Sequence, residues 1–254
     1  AQGVGDLDRT PRDRELAAYA LTEPAVGSDA SRLETTAART ADGYVLNGTK
    51  SFISNACVAD LFVVFASTDR ASGARGVSAF VVERTTPGVE VGKKDDKMGQ
   101  RAADTAQLHL RDVHVPPEAL LGAEGDGFRI AMRTFDRTRP AVASFAVGVA
   151  RRALEHATAY ARVRQAFGKP LVEHQAIGFK LADMAIKVNA ARHLVRHAAW
   201  LVDRGRPSTL EASMAKAFAA DACMEVTTEA VQIHGGYGYM KEYGVERAWR
   251  DLRL

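Results

Sequence analysis

The sequence has 254 residues, 46% of them hydrophobic and 26% charged, so it can hold one large domain or two of ordinary size with buried cores. Its 34 Lys and Arg residues against 31 Asp and Glu leave a net charge of +3, and the basic residues are scattered, which argues against a nucleic-acid partner. Cys57 and Cys223 are far apart, which argues against a disulfide or thiol-metal framework and indicates a reducing compartment. No apolar run reaches the ~20 residues of a membrane span.

The N-terminal region combines a loose lead-in with a loop of unusual composition. Residues 1–14 are rich in Gly, Asp and Arg without periodicity, and they carry neither an initiator Met nor a signal peptide, so we expect the chain to be a piece of a longer protein. In residues 21–29, Pro24 and Gly27 set special backbone angles beside polar Ser28 and Asp29. This pattern fits an ordinary surface turn, and it also fits a loop that wraps a flat polar ligand.

Short apolar, β-branched and aromatic runs predict strands through the first half of the chain. They fall at residues 33–39, 44–46, 61–66, 77–82 and 106–115. Asp42-Gly43 and Asn47-Gly48 are typical of tight hairpin turns, so each is predicted to connect two strands. The pattern predicts an antiparallel β-barrel or sandwich domain over residues 1–122.

From residue 123 onward the periodicity is helical, and we predict an up-down bundle of about four helices over residues 123–254, which makes the fold class α+β. Pro140 opens or kinks the first helix, and Ser208 with Glu211 forms a capping-box signature. Two apolar faces are predicted to pack inward. The first comprises Val142, Phe145, Val149, Ala153, Ala157 and Tyr160, and the second Ile186, Ala190, Leu194, Ala198 and Leu201.

Three other kinds of site receive little support. His193 and His197 are spaced i, i+4, but Arg192 and Arg196 beside them disfavour a metal ion, so we predict none. Ser28 lacks the GxSxG setting of a hydrolase nucleophile. The glycine-rich residues 232–239 follow a helix and do not match the P-loop pattern.

Five segments occur in the order and spacing of one known family. They are Tyr19-Ala20-Leu21-Thr22-Glu23-Pro24 with Gly27-Ser28-Asp29, Lys50-Ser51-Phe52-Ile53-Ser54-Asn55, Phe135-Asp136-Arg137-Thr138-Arg139-Pro140, the RxxFG segment from Arg164 with His174-Gln175, and Gln232-Ile233-His234-Gly235-Gly236. From about Glu15 to Leu254 the sequence resembles the acyl-CoA dehydrogenases, and within them the medium- and short-chain members.

The resemblance implies FAD as cofactor. By position, Phe52 would lie against the isoalloxazine ring, Ser54 would bond it, and Arg164 would bind the pyrophosphate through its planar guanidinium. The full set of implied FAD contacts is Tyr19, Leu21, Thr22, Gly27, Ser28, Phe52, Ser54, Arg164, Phe167, Leu171, Gln175, Gln232 and Gly236. Because Gln232 and Gly236 would meet the FAD of a neighbouring subunit, the resemblance also implies a homo-oligomer, a dimer or a tetramer.

The resemblance further implies oxidation of an acyl-CoA to the trans-2-enoyl-CoA, with electrons passing to an electron-transfer flavoprotein. The implied substrate contacts are Ser28, Phe135, Asp136, Thr138 and Arg139. A non-catalytic flavin or acyl-CoA binding module and an oxygen-using acyl-CoA oxidase stay open as alternatives. We expect a bacterial cytoplasmic protein, or a mitochondrial matrix protein if the source is eukaryotic.

The sequence departs from the whole family pattern at both ends. The family's N-terminal helical domain is not in these residues, and the usual catalytic Glu would follow Leu254. A second position that supplies the base in some members corresponds to Thr138, whose hydroxyl cannot accept a proton at neutral pH. No catalytic residue is therefore assigned, and we expect the 254 residues alone to turn over negligibly.

Overall fold

The computed structural model describes residues 16–253, so the lead-in predicted for residues 1–14 lies outside the described part. The chain forms two compact units. The first comprises the described residues up to Asp96 together with Arg101–Met132, and the second comprises Lys97–Gln100 and the described residues from Arg133 onward. The boundary that we place after residue 122 stays a prediction.

The first unit is built on one seven-stranded sheet. Its strands are β1 (Ala17–Ala20), β2 (Thr36–Arg39), β3 (Tyr44–Ser54), β4 (Leu61–Ser67), β5 (Val77–Glu83), β6 (Val89–Val91) and β7 (Thr105–Val115). Strand β4 pairs with β5 on one side and with β1 and then β2 on the other, and β2 is followed in the sheet by β3, β7 and β6. The fully buried side chains of Leu46, Phe62, Phe80 and Leu108 belong to its core.

Most of the observed strand pairing is antiparallel, as predicted. The antiparallel pairs are β2–β3, β3–β7, β4–β5 and β6–β7. Strand β4 additionally runs parallel to β1 and β2, so the sheet is mixed. Strand β1 was missed because four residues rich in alanine carry little β signal.

One hairpin prediction is confirmed and the other is wrong. Asp42-Gly43 connects β2 to β3. Asn47-Gly48 instead lies inside β3, where the pairing with β7 shifts between Leu46 and Gly48. The Asn47 side-chain Nδ2 donates to Asp112 Oδ1 over 3.0 Å, and Asn47 Oδ1 accepts from the Asp112 backbone amide over 2.8 Å. These bonds hold the irregular position against β7, so it forms a bulge and not a turn.

The second unit contains most of the helical residues. The helices are α1 (Gly127–Val163), α2 (Gln175–Asp203), α3 (Thr209–His234) and α4 (Val245–Leu252), with a small hairpin of β8 (Gln165–Ala166) and β9 (Lys169–Pro170) between α1 and α2. The α+β class and the count of about four helices are thereby confirmed. Pro140 lies within α1, and Ser208 occupies the N-cap of α3 without a capping hydrogen bond from its side chain. Within residues 16–253 no helix is long and apolar enough to cross a membrane.

Alanines form much of the contact between the helices. Ala150, Ala157, Ala191 and Ala219 are completely buried, which lets the helix backbones approach closely. The predicted apolar faces are partly wrong for this reason: Val142, Phe145 and Ile186 are exposed, whereas the positions that pack inward include smaller residues beside them, such as Ala143, Ala146 and Val188.

Candidate functional site

In the first unit the 21–29 loop lies against strand β3. The Ser51 amide donates to the Thr22 carbonyl over 2.8 Å, and Glu23 and Val26 close a short turn through two backbone hydrogen bonds. Gly27 and Ser28 at the far side of this turn are exposed. The two segments that the sequence singled out, 21–29 and 50–54, are therefore adjacent in space.

Phe52 is displayed by an unusual backbone. Its φ is +57°, it lies where the β3–β7 pairing shifts between Lys50 and Ile53, and 72% of its surface is exposed. A left-handed backbone on a large aromatic residue is uncommon and strained. Ser54 is exposed as well. The bulge thus turns an aromatic ring outward, as a stacking contact with a planar ligand requires.

Two other predicted contacts are placed differently. Tyr19 packs its ring on Phe65 at 4.9 Å, and burial strongly raises the pKa of its hydroxyl. Leu21 is buried, and its carbonyl accepts a hydrogen bond from Lys50 Nζ. The described contacts of these two residues are with the protein itself, and their role as FAD contacts stays a prediction.

Beneath the loop lies an ion pair between Glu23 and Lys50, with 2.8 Å between Nζ and Oε1 and side chains 1% and 0% exposed. Burial lowers the pKa of Lys50 to about 8 against the opposing effect of Glu23. Burial alone would raise the pKa of Glu23, but the Lys50 charge and hydrogen bonds from Lys50, Thr35 and Glu34 outweigh it and lower that pKa. Each charge of the pair thus favours the ionised form of the other against the cost of burial.

The second unit contains a hollow of about 590 Å³ that gathers four of the predicted FAD contacts. They are Arg164 after α1, Leu171 before α2, Gln232 near the end of α3, and Gly236 in the turn that follows. These residues come from separate elements of the chain and line one cavity, which is large enough for part of a dinucleotide.

The aromatic rings of Tyr160 and His234 line part of this hollow. Tyr160 stacks on the buried His234 with ring centroids 4.3 Å apart, and Tyr243 meets both rings edge-on. Burial lowers the pKa of His234, whose Nδ1 lies 2.8 Å from the Ala230 carbonyl. The Arg164 guanidinium lies 5.4 Å from the centre of the Tyr237 ring, within the range of a cation–π contact.

Gly235 and Gly236 have different reasons to be glycine. Gly235 ends α3 with a φ of +59°, a conformation that other residues adopt at a cost. At Gly236 an added Cβ would meet no atom of the chain within 4 Å. Gly236 therefore borders open space in the hollow.

Phe167 and Gln175 do not line this hollow. Phe167 lies at the tip of the β8–β9 hairpin with a φ of +53°, and 97% of its surface is exposed. Gln175 is the exposed first residue of α2. Such an exposed aromatic residue suits a contact with another molecule, which agrees with the expectation of a neighbouring subunit.

The predicted substrate segment on α1 is tied to α3. Asp136 forms an ion pair with Arg139 at 3.6 Å and accepts a hydrogen bond from Thr209. The Arg139 guanidinium lies over the Phe135 ring at 5.4 Å, while Thr138 is exposed. Ser28 belongs to the first unit, and its role toward substrate stays a prediction.

Two family models match this chain. The C-terminal domain of acyl-CoA dehydrogenase matches residues 125–254, and the middle domain of acyl-CoA dehydrogenase matches residues 18–113. The chain belongs to the acyl-CoA dehydrogenase family. The resemblance that its motifs predicted is thereby confirmed. The middle-domain model ends and the C-terminal model begins near the change from strands to helices.

Its relatives in this family include bacterial and mammalian proteins of greater length. An acyl-CoA dehydrogenase of Bacillus subtilis is 52% identical over 239 residues, which are 94% of this chain and 63% of that protein. A short-chain specific acyl-CoA dehydrogenase of Megasphaera elsdenii is 50% identical over 94% of this chain and 63% of its own length. The solved butyryl-CoA dehydrogenase from Megasphaera elsdenii matches with a TM-score of 0.92 over 94% of this chain and 63% of that one. The chain thus spans about three fifths of the relatives it matches.

Two further members are informative through what they hold or assemble with. A solved structure described as PigA with FAD and proline is 32% identical over 93% of this chain and 62% of that one, with a TM-score of 0.90. A subunit of the caffeyl-CoA reductase-Etf complex of Acetobacterium woodii is 49% identical over 93% of this chain and 62% of its own length. The family thus includes flavoproteins and subunits of complexes with an electron-transfer flavoprotein.

Sequence reasoning missed two features of this acyl-CoA dehydrogenase chain. The Glu23–Lys50 pair joins residues 27 positions apart, and no local pattern announces it. The stack of Tyr160 on His234 joins the end of α1 to the end of α3. The one signal for the ion pair in the sequence is a single lysine within a strand. Without a known partner, such a lysine predicts only an exposed position at the edge of a sheet.

Proposed function

We propose that the chain is the middle and C-terminal part of a flavin-dependent acyl-CoA dehydrogenase that binds FAD and an acyl-CoA thioester. The reaction proposed for the whole protein converts the thioester to the trans-2-enoyl-CoA. The observation that carries the proposal is the hollow in the second unit, where Arg164, Leu171, Gln232 and Gly236 meet. The motifs of these residues indicate FAD contacts independently of their positions in the fold.

When bound, FAD supplies the acceptor for the hydride that leaves the β-carbon. Arg164 offers a delocalised positive charge and several donors for pyrophosphate oxygens, and it needs no change of protonation to do so. Gln232 offers both a donor and an acceptor at the exposed end of α3. Gly236 leaves the space that a neighbour's cofactor would fill.

In the first unit the residues present fit the ring end of a flavin. Phe52 offers an exposed aromatic face, Ser54 offers a hydroxyl two residues later, and Thr22 lies on the adjacent loop. Stacking on a planar ring suits an aromatic side chain that is already turned outward. Their contacts with FAD remain part of the proposal.

For the thioester, Asp136 and Arg139 supply charge-assisted hydrogen bonds to the nucleotide end of coenzyme A. Their mutual ion pair and their hydrogen bonds to Thr209 and Ser213 hold these two α1 side chains against α3. The α-proton needs a base, and we assign none of the described residues to that role. Turnover of an acyl-CoA by the 254 residues alone would contradict this assignment.

We further propose a homo-oligomer and an electron-transfer flavoprotein as partners. The relative in the Acetobacterium woodii Etf complex supports the second partner. Exposed apolar side chains on the second unit, such as Phe167 and Ile186, support the first.

The central test fills the hollow. Gly236→Leu is expected to keep the fold, because an added Cβ meets no atom within 4 Å, and to weaken FAD binding by roughly tenfold or more because the leucine occupies the space of the ligand. Gly148→Leu on α1 is the matched control, since an added Cβ there also meets nothing within 4 Å. Titration of each purified chain with FAD, followed by flavin fluorescence, measures both. Equal FAD affinity of the two variants would show that FAD does not bind in the hollow.

A further inference from the structure

Burying the charged Glu23–Lys50 pair in a core has a high desolvation free energy. Taking two charges out of water costs free energy that their mutual attraction offsets only with good geometry and additional hydrogen bonds, and apolar residues of similar volume often serve stability as well. Here the two side chains are 1% and 0% exposed, so the cost of desolvation applies to both. The pair therefore invites an explanation besides stability.

The pair makes additional hydrogen bonds to backbone at the start of the 21–29 loop and in the segment 34–35 that follows it. Lys50 Nζ donates to the Leu21 carbonyl over 3.2 Å, at the start of the loop. The Glu23 carboxylate accepts from the amide of Glu34 over 2.6 Å and from the amide of Thr35 over 3.0 Å, in the segment that follows the loop. An apolar pair could fill the same volume, but it could make none of these bonds.

Lys50 of the same pair is also close in sequence to the exposed Phe52. Lys50 precedes Phe52 by two positions in β3, and the intervening Ser51 donates its amide to the Thr22 carbonyl. Buried hydrogen bonds thus connect three segments around this pair. They are the start of the loop, the segment after it and the bulge that displays Phe52.

We propose that Glu23 and Lys50 are positioning residues that fix the 21–29 loop relative to Phe52, so that the flavin-contacting groups are ordered before the cofactor arrives. This inference rests on the proposed function, because it names FAD as the ligand. A loop that is already ordered does not have to lose conformational freedom on binding, so the ligand binds more tightly. A pair that only stabilised the unit would leave the affinity of the folded protein unchanged.

The test replaces the pair with apolar residues in the double variant Glu23→Leu/Lys50→Met. The double change avoids leaving one buried charge alone. The exposed pair Glu90–Arg111, at 3.5 Å in the same unit, gives the matched control Glu90→Leu/Arg111→Met. Circular dichroism and thermal unfolding establish the temperature range in which each variant is folded.

Two readouts are taken in that range. The first needs no flavin: amide hydrogen exchange at Glu34, Thr35 and Ser51 is expected to accelerate about tenfold or more in the double variant and to stay as in the parent in the control. The second is the FAD dissociation constant, expected to rise about tenfold in the double variant only. The visible flavin spectrum should also lose fine structure as the ring environment becomes less ordered.

Parent-like exchange, or a parent-like FAD affinity in the folded double variant, overturns the inference. If the double variant does not fold, Glu23→Gln takes its place, because it keeps the shape and one acceptor oxygen. It is then expected to raise both quantities by a smaller factor, and unchanged values overturn the inference. If the unmodified chain binds no FAD, the proposed function fails, and the exchange measurement alone decides whether the pair fixes the loop.

Discussion

At the scale of single residues, Arg164 is the side chain on which the assignment of the hollow depends most. We expect Arg164→Ala to weaken FAD binding by about 10- to 100-fold, the effect of losing a charge-assisted hydrogen bond worth roughly 1.5–3 kcal/mol. Arg162→Ala is the control: this arginine is exposed in the last turn of α1 and should change the affinity less than about twofold. Equilibrium dialysis of FAD against both variants measures the difference. Equal losses would mean that the wrong arginine has been assigned.

The Glu23 carboxyl makes a second residue-scale prediction, on acid stability. Its folded-state pKa lies below its ordinary value of 4.5, so its contribution to stability is present above that pH and is lost as the pH falls through the lowered pKa. Glu23→Gln should lower stability near neutral pH and flatten the acid branch below about pH 5. The slope should not vanish, because Asp69, Asp104 and Glu246 also have lowered pKa values.

Urea unfolding of the flavin-free chain at a series of pH values measures this effect. Glu90→Gln, with a side chain 61% exposed, is the control and should leave the slope of the acid branch nearly unchanged. An acid branch in Glu23→Gln as steep as in the parent would show that the pair contributes no pH-dependent stability.

At the scale of elements, the bulge at Asn47-Gly48 in β3 depends on a glycine. A Cβ at Gly48 would lie 2.4 Å from Thr35 Oγ1 and 2.7 Å from Thr35 Cα, too close for either to stay in place. Gly48→Ala should therefore cost about 1–3 kcal/mol of unfolding free energy. Gly148→Ala on the exposed face of α1 should instead gain about 0.5–1 kcal/mol, since alanine is the better helix former. Denaturant midpoints of the two variants that move in the same direction would contradict the assignment of the bulge.

The strands that could be predicted from the sequence are those whose apolar runs are long and bounded by Gly, Asp or Pro, such as β4, β5 and β7. Strands β1 and β6 span four and three residues, too short for alternation to show. The predicted apolar faces of the helices differ from the observed ones because alanine, which carries little hydrophobic signal, makes the close contacts. Larger residues such as Ile186 are exposed instead.

The candidate site divides in the same way. Residues with a chemical signature in a motif, such as Arg164 and Gly236, were found from the sequence and come together in the hollow. The Glu23–Lys50 pair and the stack of Tyr160 on His234 depend on segments that meet only in the folded units. A carboxylate and an amine 27 positions apart carry no period, turn or spacing that would link them beforehand.

At the scale of the whole molecule, the exposed apolar side chains of the second unit support the proposed association with other copies. Phe167 is 97% exposed, Leu210 67%, Ile186 66% and Phe179 62%. Single exposed apolar residues are ordinary, but several large ones on α2, α3 and the β8–β9 hairpin are typical of surfaces that are covered in an assembly. The proposed homo-oligomer gives these residues a partner.

Association should then be linked to cofactor binding. If Gln232, Gly236 and Phe167 contact the FAD of a neighbouring copy, FAD binds the oligomer more tightly than the single chain, and by mass action each stabilises the other. We expect a dimer or tetramer that carries flavin at high protein concentration and releases both flavin and subunits together on dilution. Sedimentation velocity over a range of concentrations, recorded by protein absorption and by the visible absorption of the flavin, measures the two species at once. Phe167→Ser should shift the release of flavin to higher protein concentration, whereas Val163→Ser, at a position 76% exposed, should not. A monomer that retains one flavin per chain at every dilution would separate cofactor binding from association and remove the neighbouring copy from the site.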